Sequence, residues 1–252
     1  MAFNLEVLGK KPEYIKKQED LNIEKAGGSY IPSISVLSTQ AKQINKQDDK
    51  YIKGAEAGDL IITSPNPVLI KADKGMEIIP ALYRPPYYIV WSHLNVHKLD
   101  KLGNRKGAGS RTEKHGEYET MEEALANCTN DTMVPVKTID YLVFSPSYVS
   151  KDNQEPIILR FDKPSNYRLA DDFGETLNEK GNVSAIKWRL TSDYIKNVDN
   201  PYYTFKFDPI EYSKPKDFEA ITELAKVVKP GFLGLKSPSN STEAPQLTNK
   251  IM

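Results

Sequence analysis

The sequence predicts a mainly β (α+β) protein: an OB-like small β-barrel with peripheral helices and disordered termini. Many short runs rich in Ile, Val and Tyr are separated by Gly and Pro, which is typical of consecutive strands joined by turns. Apolar residues at helical spacing are confined to a few segments. Both ends of the chain are polar, and residues 235–252 are rich in Ser, Asn, Pro and Thr.

The first half of the chain predicts five strands. They are expected at residues 31–37, 59–63, 68–70, 76–82 and 87–91. The residues between them are turn formers, namely Gly54, Gly58, the stretch 65–67, Gly75 and the pair 85–86. Residues 92–120 are glycine-rich and basic, and this composition predicts a mobile loop.

The second half predicts four more strands and three helices. The strands are expected at residues 136–144, 156–161, 184–191 and 202–207, and a short helix at 121–127. Leu169, Phe173 and Leu177 form one apolar stripe, which predicts a helix that Ser165 caps. A last helix at 216–229 is expected to end at the Pro-Gly pair 230–231. We therefore divide the chain into a flexible arm (1–29), an OB-like nucleic-acid-binding domain (30–232) and a disordered tail (233–252).

Composition excludes several classes of protein. The 252 residues carry 34 Lys or Arg and 34 Asp or Glu, so a uniformly basic nucleic-acid-coating protein is excluded. Cys128 is the single cysteine, which excludes an intramolecular disulfide and fits a reducing compartment. We expect no membrane-spanning helix and no secretory signal, because no apolar run approaches the length of a membrane span.

Three histidines fall close together, at His93, His97 and His115, and Cys128 follows them. Three imidazoles and a thiolate are ligand types that zinc accepts, and a hydrolase that uses this cluster is one hypothesis. The segment is predicted to be loop, however, so the spacing of His93 and His97 has no helical meaning. We expect loop histidines that face solvent, no metal, no cofactor and no catalytic residue, since nucleophile and phosphate-loop motifs are absent from the sequence.

A basic stretch next to an aromatic strand indicates single-strand binding. Residues 98–116 carry six Lys or Arg and two acidic residues, and four further candidates precede them on the strand. The candidate phosphate and base contacts here are Arg84, Tyr87, Tyr88, Trp91, Lys98, Lys101, Arg105, Lys106, Arg111 and Lys114. Bases stack on aromatic rings while cations follow the phosphates, without sequence preference. Tyr87 and Tyr88 alternate on the strand, so they cannot both face the groove.

A second aromatic and basic strand supports the same interpretation. Lys187 and Arg189 share one face of the predicted strand and Trp188 takes the other, so we include all three as nucleic-acid-binding candidates. Strand faces flanked by mobile loops form the binding groove of OB folds. The alternative is that these aromatic side chains are packing residues of an ordinary β-core.

The order of several segments resembles a known family. The segments are residues 30–38, 51–60, 75–80, 88–91, 188–192 and 202–207, and together they span most of the chain from 30 to 230. In this order they resemble phage-encoded single-stranded DNA-binding and annealing proteins related to those of T7-like phages. The resemblance implies non-catalytic binding of single-stranded DNA in phage replication or recombination, in the host cytoplasm. Phage replication proteins are then candidate partners, and a homodimer is compatible with the sequence.

The chain departs from this family at its end. T7-like proteins carry a strongly acidic tail that recruits replication partners, whereas residues 235–252 hold one acid, Glu243, and two lysines, Lys236 and Lys250. A phage protein–protein interaction module that binds a host factor or a virion component is the competing interpretation. Such a module would account equally well for zero net charge and many tyrosines.

Overall fold

The computed structural model describes residues 3, 6–9, 12, 31–64, 66–97, 106–146, 148–150, 153–154, 156–179, 182–196 and 201–233. The predicted fold class is confirmed, because strands dominate these residues and the few helices are consistent with an OB-like architecture with peripheral helices. The strands are β1 Ser33–Val36, β2 Leu60–Thr63, β3 Val68–Ile70, β4 Met76–His97, β5 Lys106–Tyr118, β6 Met133–Phe144, β7 Val149–Ser150, β8 Asn153–Gln154, β9 Ile157–Phe161, β10 Ile186–Ile195 and β11 Tyr202–Tyr212. The α-helices are α1 Met121–Ala126, α2 Pro164–Glu179 and α3 Pro215–Leu233.

The chain divides into two compact units, and β4 and β6 each contribute residues to both. The first unit comprises Met1–Pro86 and Lys137–Gly234, and the second comprises Tyr87–Val136 with Leu235–Met252. In the first unit the strand order is β11-β10-β4-β6-β9-β1-β2-β3. The pairing of β1 with β9 is parallel, whereas β1 with β2, β6 with β9, and β10 with both its neighbours are antiparallel.

Aromatic rings fill the core of the first unit. The rings of Phe173 on α2 and Phe207 on β11 stack with centroids 4.4 Å apart, and Trp188 meets Phe173 edge-on at 5.1 Å. The predicted stripe of α2 is confirmed, since Leu169, Phe173 and Leu177 are all buried. The predicted cap is wrong, because the helix already begins at Pro164, where the fixed φ of proline suits a first helical position and no N–H is lost.

Helix α3 packs on the same unit and is longer than predicted. Its Ile221 and Ala225 are buried against a cluster that includes Leu82 and Phe144. The helix continues to Leu233, so the prediction that it ends before the Pro-Gly pair 230–231 is wrong. Pro230 lies in the last turn, where its missing N–H removes one hydrogen bond and leaves little helix beyond it to disrupt.

The second unit is built on the hairpin of β4 and β5 and on helix α1. Val90, Ala124 and Met133 form its core, and Tyr88, Tyr118 and Cys128 pack against them. Thr120 and Glu123 form a reciprocal capping box that fixes the start of α1. The predicted short helix at 121–127 is therefore confirmed to within one residue.

Two predictions about residues 76–120 are wrong. Residues 76–97 form one continuous strand, so there is no turn at the proline pair 85–86. Much of the predicted basic loop 92–120 is ordered as strand, because residues 92–97 belong to β4 and residues 106–118 to β5. Residues 98–105, which include Lys98, Lys101 and Arg105, lie outside the described residues.

The predicted N-terminal arm touches the core where it is described. The ring of Phe3 lies 5.3 Å from Trp188 and 6.0 Å from Phe173, both in edge-on geometry. Leu8 also packs against the main core. Contact with the core partly removes these two apolar side chains from water. The division into an arm (1–29), a domain (30–232) and a tail (233–252) stays a prediction. The predicted tail beyond residue 233 lies outside the described residues.

Candidate nucleic-acid interface

The β4–β5 hairpin of the second unit carries the aromatic and basic side chains that the sequence singled out. Its register runs from Tyr88 opposite Tyr118 to His97 opposite Lys106. The register shifts between Val90 and Trp91 and twice more before Asn95. Such irregularities re-aim side chains relative to a regular ladder, and they occur often next to binding sites. Trp91 is opposite Lys114, and His93 is opposite Arg111.

A cation lies over the ring of Trp91. The guanidinium carbon of Arg111 is 5.8 Å from the ring centroid, within the range of a cation–π interaction. Both side chains are partly exposed, so the pair borders solvent. An exposed ring with a guanidinium beside it can stack on a nucleobase and contact the adjoining phosphate. Of the residues predicted to bind, Trp91 and Arg111 are the pair that the structure brings together most directly.

The other basic candidates of the hairpin are less available. The ammonium of Lys114 pairs with the buried carboxylate of Glu117, three residues further along β5. Its charge is therefore already partly compensated, although the side chain remains exposed. Lys106 begins β5 and is opposite His97 in the hairpin register.

Three aromatic or basic candidates belong to packed regions. Arg84 is 8% exposed and Tyr87 is 2% exposed, so neither offers much surface to a strand of nucleic acid. Tyr88 is partly buried and packs against the core of the second unit. The predicted phosphate contact of Arg84 and the predicted stacking of Tyr87 are wrong for this structure, because both side chains are buried. For Tyr88, which is partly buried as Trp91 is, stacking on a base stays a prediction. The caution that Tyr87 and Tyr88 could not both face a groove was justified.

The predicted contact of Trp188, on strand β10, with nucleic acid is also wrong. Trp188 is 0% exposed and lies among Phe3, Phe173 and the rest of the main core, so its ring cannot reach a base. Strand alternation placed it on the face opposite Lys187 and Arg189, and that part of the prediction holds. The face of Trp188 is the core face of the sheet.

The cations on the other face of β10 are matched by acids from neighbouring strands. Lys187 Nζ lies 2.6 Å from Glu211 and 3.3 Å from Glu77. The hydrogen bond to Glu211 is the main reason that the pKa of Lys187 is raised, and the same bond lowers the pKa of Glu211. Arg189 is exposed and is in register with Glu77 on one side and Asp208 on the other. These carboxylates compete with any phosphate. Local sequence patterns do not reveal them as neighbours, because they lie on other strands.

The histidines of the hairpin differ from the prediction. His93 is 7% exposed rather than solvent-facing, and neither of its ring nitrogens has a hydrogen-bond partner. Burial, and secondarily the charge of Arg111, lower the pKa of His93. His115 Nε2 lies 2.6 Å from Ser92 Oγ, so that ring is held across the hairpin. The side chain of His97 lies outside the described part of the structure.

His93 is the residue of this region that sequence reasoning missed. The segment was interpreted as a loop, and alternation was therefore not applied to it. Applied to a continuous β4, alternation would have placed Trp91 and His93 on one face. Among the described residues, no group of three or more His, Cys, Asp or Glu side chains is arranged to hold a metal ion.

Comparisons with known proteins add one finding. Residues 10–233 match a family model described as Pam3 phage gp34-like protein. No curated protein and no solved structure matches the chain. In the described ranges, no helix has the length and apolar character that a membrane span requires. The matched region covers most of the 252 residues, and the chain therefore belongs to the Pam3 phage gp34-like protein family.

Proposed function

We propose that this phage protein binds single-stranded DNA without sequence preference, through the β4–β5 hairpin, and catalyses no reaction. The observation that carries the proposal is the guanidinium of Arg111 over the partly exposed ring of Trp91, with Lys114 opposite that ring in the hairpin register. An aromatic face beside cations is the combination that single-strand binding uses.

The sheet face of β10 makes a poorer interface. Lys187 is held between two carboxylates, whereas Arg111 lies against an aromatic ring. A phosphate must displace the carboxylates to approach Lys187, whereas a base that stacks on the Trp91 ring brings its phosphate close to Arg111. We therefore restrict the interface to the hairpin. We propose that binding there serves phage replication or recombination in the host cytoplasm. Replication proteins as partners and a homodimer remain parts of the same proposal.

A salt titration with matched variants tests the proposal. Fluorescence anisotropy would measure the affinity for single strands of one length and several sequences, at several salt concentrations. We expect the logarithm of the binding constant to fall with the logarithm of salt concentration by about 0.7 per phosphate contacted. Arg111→Ala should weaken binding to every sequence and flatten that slope. Arg189→Ala is the matched control, because it removes an exposed cation of β10 that faces acids, and we expect it to have little effect.

A separate variant tests the proposed stacking of a base on Trp91. Trp91→Ala should cost about 1–3 kcal/mol of binding free energy, the range for loss of one base–aromatic stack. Lys114→Ala should cost less than Arg111→Ala, because Lys114 already pairs with Glu117. No binding by the folded wild-type protein would refute the proposal and favour the protein-interaction module. Equal effects of Arg111→Ala and Arg189→Ala would instead contradict the location in the hairpin.

A further inference from the structure

Two tyrosine rings lie together at the end of the β10–β11 pair, in the first unit. Tyr194 is opposite Tyr203 in the register, and their ring centroids are 5.0 Å apart with the ring planes at 50°. Tyr194 is 48% exposed, the largest fraction among the Phe, Tyr and Trp side chains that the structure describes, and Tyr83 follows at 36%. Trp91, the proposed stacking residue of the hairpin, is covered more fully than Tyr194.

The two rings extend the core face of the sheet beyond the core. The register of β10 with β11 is regular after Trp188, so Trp188, Leu190 and Tyr194 alternate onto one face, where Tyr203 and Phe205 lie opposite. Trp188, Leu190 and Phe205 are buried, whereas Tyr194 is left uncovered. A second flat ring that covers Tyr194 would remove its apolar surface from water, so the position favours a flat ligand.

A loop that contains Gly58 holds Tyr203 in place. Gly58 has a φ of +94°, and a Cβ atom there would lie 2.7 Å from Cε1 of Tyr203, so the backbone of the loop touches the ring. Ser192, two residues before Tyr194, donates a hydrogen bond to the carbonyl oxygen of Gly58. The N–H of Gly58 donates to the carbonyl oxygen of Leu37 at 2.8 Å. The Tyr203 ring is therefore positioned before any ligand binds, which lowers the ordering cost of binding.

Polar and charged groups adjoin the rings. The phenol hydroxyls of Tyr194 and Tyr203 make no hydrogen bond with any described residue, so both can donate to a ligand and accept from it. Lys196 is exposed and follows Tyr194 by two residues, a span of about 7 Å along an extended chain. Within the described ranges, Lys196 forms no ion pair. Rings, hydroxyls and a cation together suit a nucleobase and its adjoining phosphate.

We propose that Tyr194 and Tyr203 form a stacking site for one base of a single-stranded nucleic acid, with Lys196 beside its phosphate. Tyr194 is the one large apolar side chain of β10 and β11 that is exposed, and a protein interface needs a larger apolar core around such a ring. This inference rests on the proposed function, which takes its phosphate contacts from the hairpin, and it adds a contact on the first unit. The face concerned is opposite that of Lys187 and Arg189.

Strands with and without bases test the site. Fluorescence anisotropy would compare a thymidine strand with an abasic strand of the same length. We expect Tyr194→Leu to weaken binding of the thymidine strand about 5- to 150-fold, as for one lost base stack, and to leave binding of the abasic strand unchanged. Tyr194→Phe keeps the ring and should bind nearly as the wild type does. Lys196→Ala should weaken binding of both strands, because both carry phosphate.

Tyr83→Leu is the matched control, because Tyr83 is the other exposed aromatic side chain of the same unit. It should change the affinity for neither strand, and urea denaturation would show that each variant is folded. Equal weakening of both strands by Tyr194→Leu would overturn the inference, since the ring would then not be acting on a base. Self-association of the wild type that Tyr194→Leu abolishes, with DNA affinity unchanged, would assign the rings to a second copy of the chain and would also overturn it.

The same titrations separate this inference from the proposed function. If Trp91→Ala weakens binding and Tyr194→Leu does not, the proposed function stands and the inference fails. If Tyr194→Leu weakens binding of the thymidine strand only, and Trp91→Ala and Arg111→Ala have no effect, the inference stands and the location in the hairpin fails. No binding by the folded wild type overturns both.

Discussion

The two tryptophans provide the sharpest test of how packing and binding are divided in this protein. Trp188 is fully buried and meets Phe3 at 5.3 Å and Phe173 at 5.1 Å, edge-on in both cases. Replacing such a side chain by Ala removes its apolar burial and leaves a cavity among aromatic rings, which costs about 3–5 kcal/mol of unfolding free energy. We expect Trp188→Ala to lose that amount.

Trp188→Phe should cost far less. A phenyl ring preserves most of the contacts with Phe3 and Phe173, and the substitution deletes an N–H that has no partner. Trp91→Ala should also cost less than Trp188→Ala, because the Trp91 ring is partly exposed. Its contact with Arg111 adds about 0.5–1 kcal/mol at an exposed site. We therefore expect a large loss of unfolding free energy for Trp188→Ala and small losses for Trp188→Phe and Trp91→Ala.

Urea denaturation measures all three variants on one scale. Free energies are compared at an unchanged dependence on urea concentration, because a changed slope would signal a different unfolded or native state. The variants that remain folded then enter the DNA titration, where Trp91→Ala should bind more weakly than the wild type and Trp188→Phe should bind as the wild type does. A loss below about 1 kcal/mol for Trp188→Ala would refute the core assignment, since that is the size of an ordinary substitution. Impaired binding by a stable Trp188→Phe would refute the division of roles.

Three further predictions concern stability. The pKa of His93 is lowered by burial first and by Arg111 second, so the folded state binds fewer protons than the unfolded state as pH falls below 6.5. Unfolding free energy should therefore decrease from pH 7.5 to pH 5.5, and His93→Leu should remove that part of the decrease in urea titrations. Arg160 donates hydrogen bonds of 3.0 Å and 2.8 Å to the buried carboxylate of Asp140. Arg160→Leu should lower the unfolding free energy by about 3–5 kcal/mol, because it removes a charged partner from a buried carboxylate. The double variant with Asp140→Leu should lose much less, because it removes both charges. Gly75→Ala should destabilise more than Gly54→Ala in thermal melts, because both glycines have positive φ but only at Gly75 would a Cβ lie 2.5 Å from β10 atoms.

Local periodicity was sufficient for much of the fold. Alternation of apolar residues predicted strands near β1, β2, β3, β9, β10 and β11, and the stripe of Leu169, Phe173 and Leu177 predicted α2. These patterns are visible in a short window because the core faces of a helix or strand repeat every few residues. Helix ends were less predictable, as α2 and α3 show.

Local sequence patterns did not predict the β4–β5 hairpin. Residues 106–110 include two glycines, which have low strand propensity, and β4 contains the proline pair 85–86. Both segments are nevertheless parts of strands, and for residues 106–110 the reason is that β5 pairs with β4 along most of its length. Pairing between segments supplies hydrogen bonds that overcome weak local preference. A sequence window cannot show that pairing, so the loop interpretation followed and His93 was misplaced.

Charge neutralisation was also invisible in sequence. In the sequence, Lys187 and Arg189 predict a basic face of the strand. In the structure, Glu77 and Asp208 are in register with Arg189 on the two neighbouring strands. Glu77 lies more than a hundred residues away along the chain, and no local pattern reveals which strand will be its neighbour. Binding candidates chosen from charge alone therefore included a face on which Lys187 is already paired and Arg189 lies in register with two acids.

The contrast between the two sets of cations gives the strongest reason to place a ligand on the hairpin. Opposite charges at close range favour each other in the fold, so Lys187 and its carboxylates have little to gain from an added phosphate. Arg111 has an aromatic ring beneath it and a neutral, unpaired imidazole opposite it. The hairpin therefore offers a ring and a cation together, the combination that single-strand binding uses, whereas Lys187 lies between carboxylates.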